Sequence, residues 1–175
     1  MYSTIAIILK KITVGEGDEL VICYTKEFGK IVARVQGVKK EEAKLRGHVE
    51  PLSKSAIQFV LGKNGERLIY AELLDAHRGF REALDCLFAA HYAAALVDSS
   101  CLVGEPDEQI FYLLEKSLAG LAEQKLHGAA LDAWASHFEQ TLLAHLGYAG
   151  SADFSVLQQR PIARPDFARY NGGRN

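Results

Sequence analysis

Four cations fall close together in the segment Gln36-Gly37-Val38-Lys39-Lys40-Glu41-Glu42-Ala43-Lys44-Leu45-Arg46-Gly47-His48: Lys39, Lys40, Lys44 and Arg46. Lys30 and Arg34 come shortly before it. Flexible ammonium and guanidinium groups at such spacing neutralise phosphates without reading bases. Tyr24 and Phe28 lie close by and have two readings, as rings that stack on bases or as core residues. Glu41 and Glu42 dilute the positive charge, so a solvated charged loop is the competing reading of the segment.

Other chemistry finds no support. The order Gly62-Lys63-Asn64-Gly65 is a hairpin tip, not a phosphate-cradling P-loop, and no G-x-S-x-G, H-E-x-x-H or G-x-G-x-x-G occurs. His48, His77, His91, His127, His137 and His145 never stand three or four residues apart, so no helical metal pair forms. His137 and His145 are two helical turns apart, without a nearby cysteine or matched carboxylate. His91 lies in an apolar stretch and reads as a hydrogen-bonded core or interface residue. Asp98, Asp132 and Glu139 read as solvated acids on helices, without the cleft a carboxylate pair needs. Cys23, Cys86 and Cys101 form no C-x-x-C pair and no even disulfide framework, and read as buried apolar thiols. No catalytic residue, metal ligand or cofactor is expected.

The elements that must position the cations change character near residue 77. Before it the chain reads as strands: Thr4 to Ile12, Leu20 to Thr25 after a glycine-rich acidic turn, and Lys30 to Gln36. Ser55 to Leu61 and Arg67 to Leu74 flank Lys63-Asn64-Gly65, whose Asn-Gly pair suits a type I′ hairpin turn. Five short strands, with a polar segment from Lys39 to Gly47 between the third and fourth, fit the small closed barrel of an OB-fold. On such a barrel the second and third strands form the usual single-strand groove.

Beyond residue 77 the period is helical. Phe80, Leu84, Leu87, Phe88, His91 and Ala95 give the apolar stripe of one long helix. Gly104-Glu105-Pro106 breaks it, and Pro106 suits the first turn of a second helix with the stripe Ile110, Leu113, Leu114, Leu118 and Leu121. A third carries Leu131, Trp134, Phe138, Leu142 and Leu146 and ends at Gly147. The fold class is therefore α+β: an OB-fold domain at 1–77, an all-α helical domain at 78–150, and a basic, aperiodic tail at 151–175.

The net charge of −2 conceals a division. Residues 1–80 hold 13 basic and 10 acidic side chains, residues 81–157 hold 3 and 11, and residues 158–175 hold 4 and 1. Contact with a polyanion belongs to the first part or to the tail arginines Arg160, Arg164, Arg169 and Arg174. The longest apolar run, Cys86 to Val97, is too short to span a bilayer, and the first residues lack the pattern of a secretion signal. A cytoplasmic protein with no membrane partner is the expectation.

The order of these pieces is also familiar. Ala6-Ile7-Ile8-Leu9-Lys10, Gly17-Asp18-x-Leu20-Val21, Tyr24-Thr25, Phe28-Gly29-Lys30, Gly37-Val38-Lys39-Lys40, Leu45-Arg46-Gly47 and Glu50-Pro51-Leu52 follow one another. Ala71-Glu72-Leu73-Leu74-Asp75, Gly104-Glu105-Pro106-Asp107 and Leu142-Leu143-x-x-Leu146-Gly147-Tyr148 come after them. This resembles the RecO family of bacterial recombination mediators. The resemblance implies an OB-fold followed by helices and binding of single- and double-stranded DNA. It also implies annealing of complementary strands, and action with RecR so that RecA loads on DNA coated by single-strand binding protein. It places Lys39 and Lys40 at the family's basic pair after glycine and Arg46 in its downstream basic segment; local charge adds Lys30, Arg34 and Lys44. The chain departs from the family in having no cysteine in residues 149–175, where many members carry a four-cysteine zinc module, and in ending at Asn175. The acidic helical part is also an awkward host for the acidic tail of single-strand binding protein. Two other readings stay open: a protein-interaction adaptor that binds no DNA, and an RNA-binding OB-fold protein.

Overall fold

The computed structural model describes residues 1–15, 17–36, 45, 47–63 and 65–148. Five strands come first: β1 (Tyr2–Val14), β2 (Asp18–Thr25), β3 (Gly29–Val35), β4 (Lys54–Gly62) and β5 (Gly65–Asp75). A 3₁₀ turn (Arg78–Glu82) precedes helices α1 (Leu84–Ser100), α2 (Glu108–Gln124) and α3 (Gly128–His145). The strands close into a barrel in the order β1-β2-β3-β5-β4. This is an α+β chain with an N-terminal OB-type barrel followed by helices.

The barrel follows from the alternation of side chains. Ala6, Ile8, Val21, Cys23, Ile31, Ala33, Val35, Ile57, Phe59, Leu68 and Ala71 point inward and form one buried cluster with Val49. β1 is long enough to serve two neighbours. Tyr2–Ile7 pairs with β4 and Ala6–Val14 with β2, and the register slips between Ile8 and Lys10. Such a bulge bends a strand, as a small closed barrel requires. At the bulge Ile8 donates its N–H to the Ser53 carbonyl and accepts one from Leu52. The barrel closes where β3 runs parallel to β5, pairing Ala33 with Glu66 and Arg34 with Arg67. The β4–β5 hairpin pairs Gly62 with Gly65 across a two-residue turn; its Asn64 lies outside the described residues.

Contacts divide the chain into two compact units, and the division is not a single cut. Residues 101–111 belong with the barrel strands, and 77–100 with the described residues from 112 to 148. The strap at 101–111 lies along β3. Lys30 and Val103 form a parallel bridge, and Gly104 donates its N–H to the Lys30 carbonyl at 2.9 Å. The β2–β3 turn is built for this approach. Thr25 Oγ1 donates to the Gly29 carbonyl at 2.9 Å and accepts from the Phe28 N–H at 3.0 Å. Gly29 has φ of +65°, and a Cβ there would stand 2.1 Å from the Glu105 carbonyl oxygen. Only glycine meets both conditions.

The helices depart from expectation in two places. The stripe Leu84, Leu87, Phe88, His91 and Ala95 is not the inner face of α1: Leu84 is 64% and Phe88 40% exposed, and His91 is exposed as well. The buried face is Cys86, Ala89, Ala90, Tyr92, Ala93, Leu96 and Val97. Small residues make up much of this face, together with Tyr92, Leu96 and Val97, while Leu84 and Phe88 are left outside. Phe80 belongs to the separate 3₁₀ turn, so the long helix starts only at Leu84. Pro106 precedes α2 rather than occupying its first turn. Asp107 caps that helix, its Oδ1 accepting from the N–H of Gln109 at 2.8 Å and of Ile110 at 3.3 Å. Ile110, Leu114, Leu118 and Leu121 are buried as expected, with Phe111 added. α1 packs on α3, where Tyr92 donates to Glu139 Oε1 at 2.8 Å. Gly147, at φ +86°, ends the last helix, with Tyr148 N–H bonded to the Leu143 carbonyl. No helix among the described residues is long and apolar enough to cross a membrane.

Candidate nucleic-acid interface

Strand alternation puts Lys30, Val32 and Arg34 on the outer side of β3, opposite the buried Ile31, Ala33 and Val35. Lys30 and Arg34 are four residues apart, about 13 Å along the strand. Arg34 is not a bare cation: its Nε stands 2.9 Å from Asp18 Oδ2 at the start of β2. Both partners are part-exposed, so the pair adds little stability but lowers the positive field at this position. Other barrel cations are paired in the same way, Lys11 with Glu50 at 2.7 Å and Lys26 with Glu108 at 4.0 Å.

The parallel register of β3 on β5 adds a cation that sequence reading missed. Arg67 is the direct partner of Arg34 and is exposed on the same outer side. Lys63, at the tip of the β4–β5 hairpin, is exposed too. The signal in the sequence was the pair of cations flanking Asn64-Gly65, but only the barrel closure sets β5 beside β3. Arg34 and Arg67 are thus neighbours near the end from which the chain leaves β3 toward the basic segment, with Lys30 at the start of that strand and Lys63 at the tip of the adjoining hairpin. The candidates Lys39, Lys40, Lys44 and Arg46 lie outside the described residues, as do the tail arginines.

The base-stacking reading of Tyr24 is overturned. Its side chain is fully buried, and its hydroxyl reaches the Asp107 carbonyl of the strap at 3.4 Å. Burial also pushes its phenol well above the usual range. Phe28 is half-buried and packs edge-on against Phe59. The face of β2 and β3 expected to form the single-strand groove is thus covered in part by residues 101–111, at Tyr24 and beside Lys30.

Nothing among the described residues forms a metal-binding group of His, Cys, Asp or Glu. The three cysteines are buried and none is in a disulfide among the described residues, and burial raises the thiols of Cys23 and Cys86. His127 lies 3.0 Å from Asp85, and His48 Nδ1 accepts the Leu73 N–H at 3.2 Å. These histidines hold the fold together locally. What the arrangement offers chemically is positive charge on the outer side of β3 and β5.

Comparison with known proteins agrees with the fold. Residues 1–77 match the family described as recombination protein O N terminal, and residues 81–174 the one described as recombination protein O C terminal. The DNA repair protein RecO of Pelotomaculum thermopropionicum is 33% identical over 167 residues, covering 95% of this chain and 63% of that protein. That of Gloeothece citriformis is 34% identical, covering 92% and 56%. That of Myxococcus xanthus is 30% identical, covering 98% and 70%. The chain therefore spans less than two thirds of the length of the first two relatives. With both halves matched in order on a closed five-stranded barrel and its following helices, this chain belongs to the RecO family.

Proposed function

We propose that this chain is a non-enzymatic DNA-binding mediator of recombinational repair. It binds single- and double-stranded DNA, anneals complementary strands, and acts with RecR to help RecA load on DNA coated by single-strand binding protein. The observation that carries the reading is the row of Lys30, Arg34 and Arg67 on adjacent strands, with Lys63 at the neighbouring hairpin tip. The segment with Lys39, Lys40, Lys44 and Arg46 continues from the same strand and supplies further phosphate contacts. Contacts of this kind are indifferent to base sequence, as annealing of arbitrary strands requires. The barrel at 1–77 is the DNA module in this reading, residues 78–150 the helical domain and 151–175 an auxiliary basic tail.

The test is fluorescence anisotropy of a labelled single-stranded oligonucleotide at several salt concentrations. Each neutralised phosphate contributes a slope of roughly −0.7 in log K against log salt. About three to five contacts are expected, lost together with affinity when Lys39, Lys40 and Arg46 are replaced by alanine. The same triple change tests the adaptor reading, favoured by the barrel cations already held in ion pairs, because an adaptor keeps its protein partners. An RNA oligonucleotide of equal length, carried through the annealing assay, separates a mediator from an RNA binder.

A further inference from the structure

A second feature of the barrel has the opposite charge. Tyr2, Phe28 and Phe59 form a triad of rings with centroids 5.3–5.4 Å apart, Tyr2 stacked on Phe59 and both meeting Phe28 edge-on. Phe59 is buried in the core, whereas Tyr2 is 40% exposed. A groove of about 380 Å³ opens over these rings, walled by Leu61 among others, and its two charged lining residues are Glu27 and Glu66. That volume is at the small end of ligand pockets. The Glu27 carboxylate accepts the Thr4 hydroxyl, which holds it in place. Glu27 also lines an adjoining groove of about 300 Å³ that runs past Thr4 and Tyr70.

Two carboxylates repel phosphate, so this groove does not continue a nucleic-acid path. The π faces of Tyr and Phe are negative and attract a cation, most readily a flat and weakly hydrated guanidinium. Rings and carboxylates lining one groove therefore favour the same guest. We propose that this groove takes an arginine side chain from an extended segment of a partner protein. The guanidinium lies on the Tyr2 ring between Glu27 and Glu66, and the next residues of the segment follow the adjoining groove. Charge complementarity makes the assignment, which is independent of the DNA reading.

The test uses the full chain, labelled at its aromatic rings, titrated in NMR with acetyl-Gly-Ser-Arg-Pro-Gly-amide and with its citrulline analogue. Citrulline keeps shape and polarity but removes the charge. The expected result is saturable shifts of the Tyr2 and Phe28 ring signals by the arginine peptide, with about tenfold weaker binding of the citrulline peptide. Replacing both carboxylates (Glu27→Gln with Glu66→Gln) should weaken the arginine peptide by about the same factor. Equal binding of the two peptides, or unmoved rings at millimolar peptide, overturns the proposal without recourse to any variant. An oligothymidylate that shifts the same rings and displaces the peptide would reassign the groove to nucleic acid.

Discussion

Replacing Gly29 with alanine tests the strap most directly. The new methyl group meets two separate penalties. At φ of +65° any L-residue is strained, by about 1–2 kcal/mol. The Cβ would also stand 2.1 Å from the Glu105 carbonyl oxygen and 2.8 Å from the Pro106 nitrogen, so the strap must retreat by about 1 Å or more. Retreat weakens the Gly104–Lys30 hydrogen bond, about 1 kcal/mol, and loosens the cover over Tyr24. The expected total is about 3–5 kcal/mol. Gly15 provides the control: its φ is +62°, but nothing lies within 4 Å of a Cβ built there, so Gly15→Ala should cost only the backbone strain, about 1–2 kcal/mol. Equilibrium urea unfolding followed by near-ultraviolet tyrosine dichroism reads both. If the two variants agree within about 0.5 kcal/mol, the close approach of strap and turn carries no energy and the reasoning is wrong.

Further expectations concern charge, packing and pH. Arg67→Ala should reduce the single-strand salt slope by roughly 0.7, and Arg34→Ala by less, because Asp18 already holds that guanidinium. By the same logic Asp18→Asn should tighten DNA binding, and a weaker complex in anisotropy would refute it. Phe138→Ala empties a fully buried site in α3 beside the stacked Trp134, and should cost about 3–5 kcal/mol in thermal unfolding. Lys125 hydrogen-bonds Glu82 and holds its carboxyl below the usual range, so the pair supports the fold above the unfolded carboxylate pKa. That support fades as pH falls through the lowered value. Lys125→Ala should return Glu82 to an ordinary titration, as carboxyl NMR would record.

Much of the barrel is legible in the residues because strand signals are local. β-branched runs alternate with polar positions, glycine-rich turns separate them, and Asn64-Gly65 marks the hairpin. The pairing of β3 with β5 has no local signal, and so Arg67 escaped notice although it sits beside Arg34. α1 misled for a different reason. Alanine weighs little in an apolar count, so Leu84 and Phe88 outvoted Ala89, Ala90 and Ala93, although the small residues make up much of the buried face. The strap was invisible as well: Gly104-Glu105-Pro106 reads as a helix break, and nothing in it names Gly29, some 75 residues earlier, as its partner. For the same reason the two readings of Tyr24, stacking platform or core, could not be separated in the sequence, since its cover comes from that distant segment.

The strap also bears on how the chain can be cut and made. A fragment ending near residue 77 holds all five strands but lacks the eleven residues, Cys101–Phe111, that complete their unit. Such a fragment leaves Tyr24 uncovered and the Lys30 carbonyl without its donor from Gly104, so it should be sticky and weakly folded despite an intact strand set. During synthesis the barrel must wait for its last piece. At roughly 5–20 residues per second, the stretch from Ala76 to Phe111 takes about 2–7 seconds to appear. Throughout that interval the nascent barrel has all of its strands and an open seam, so its maturation is tied to the making of the helix that lies between.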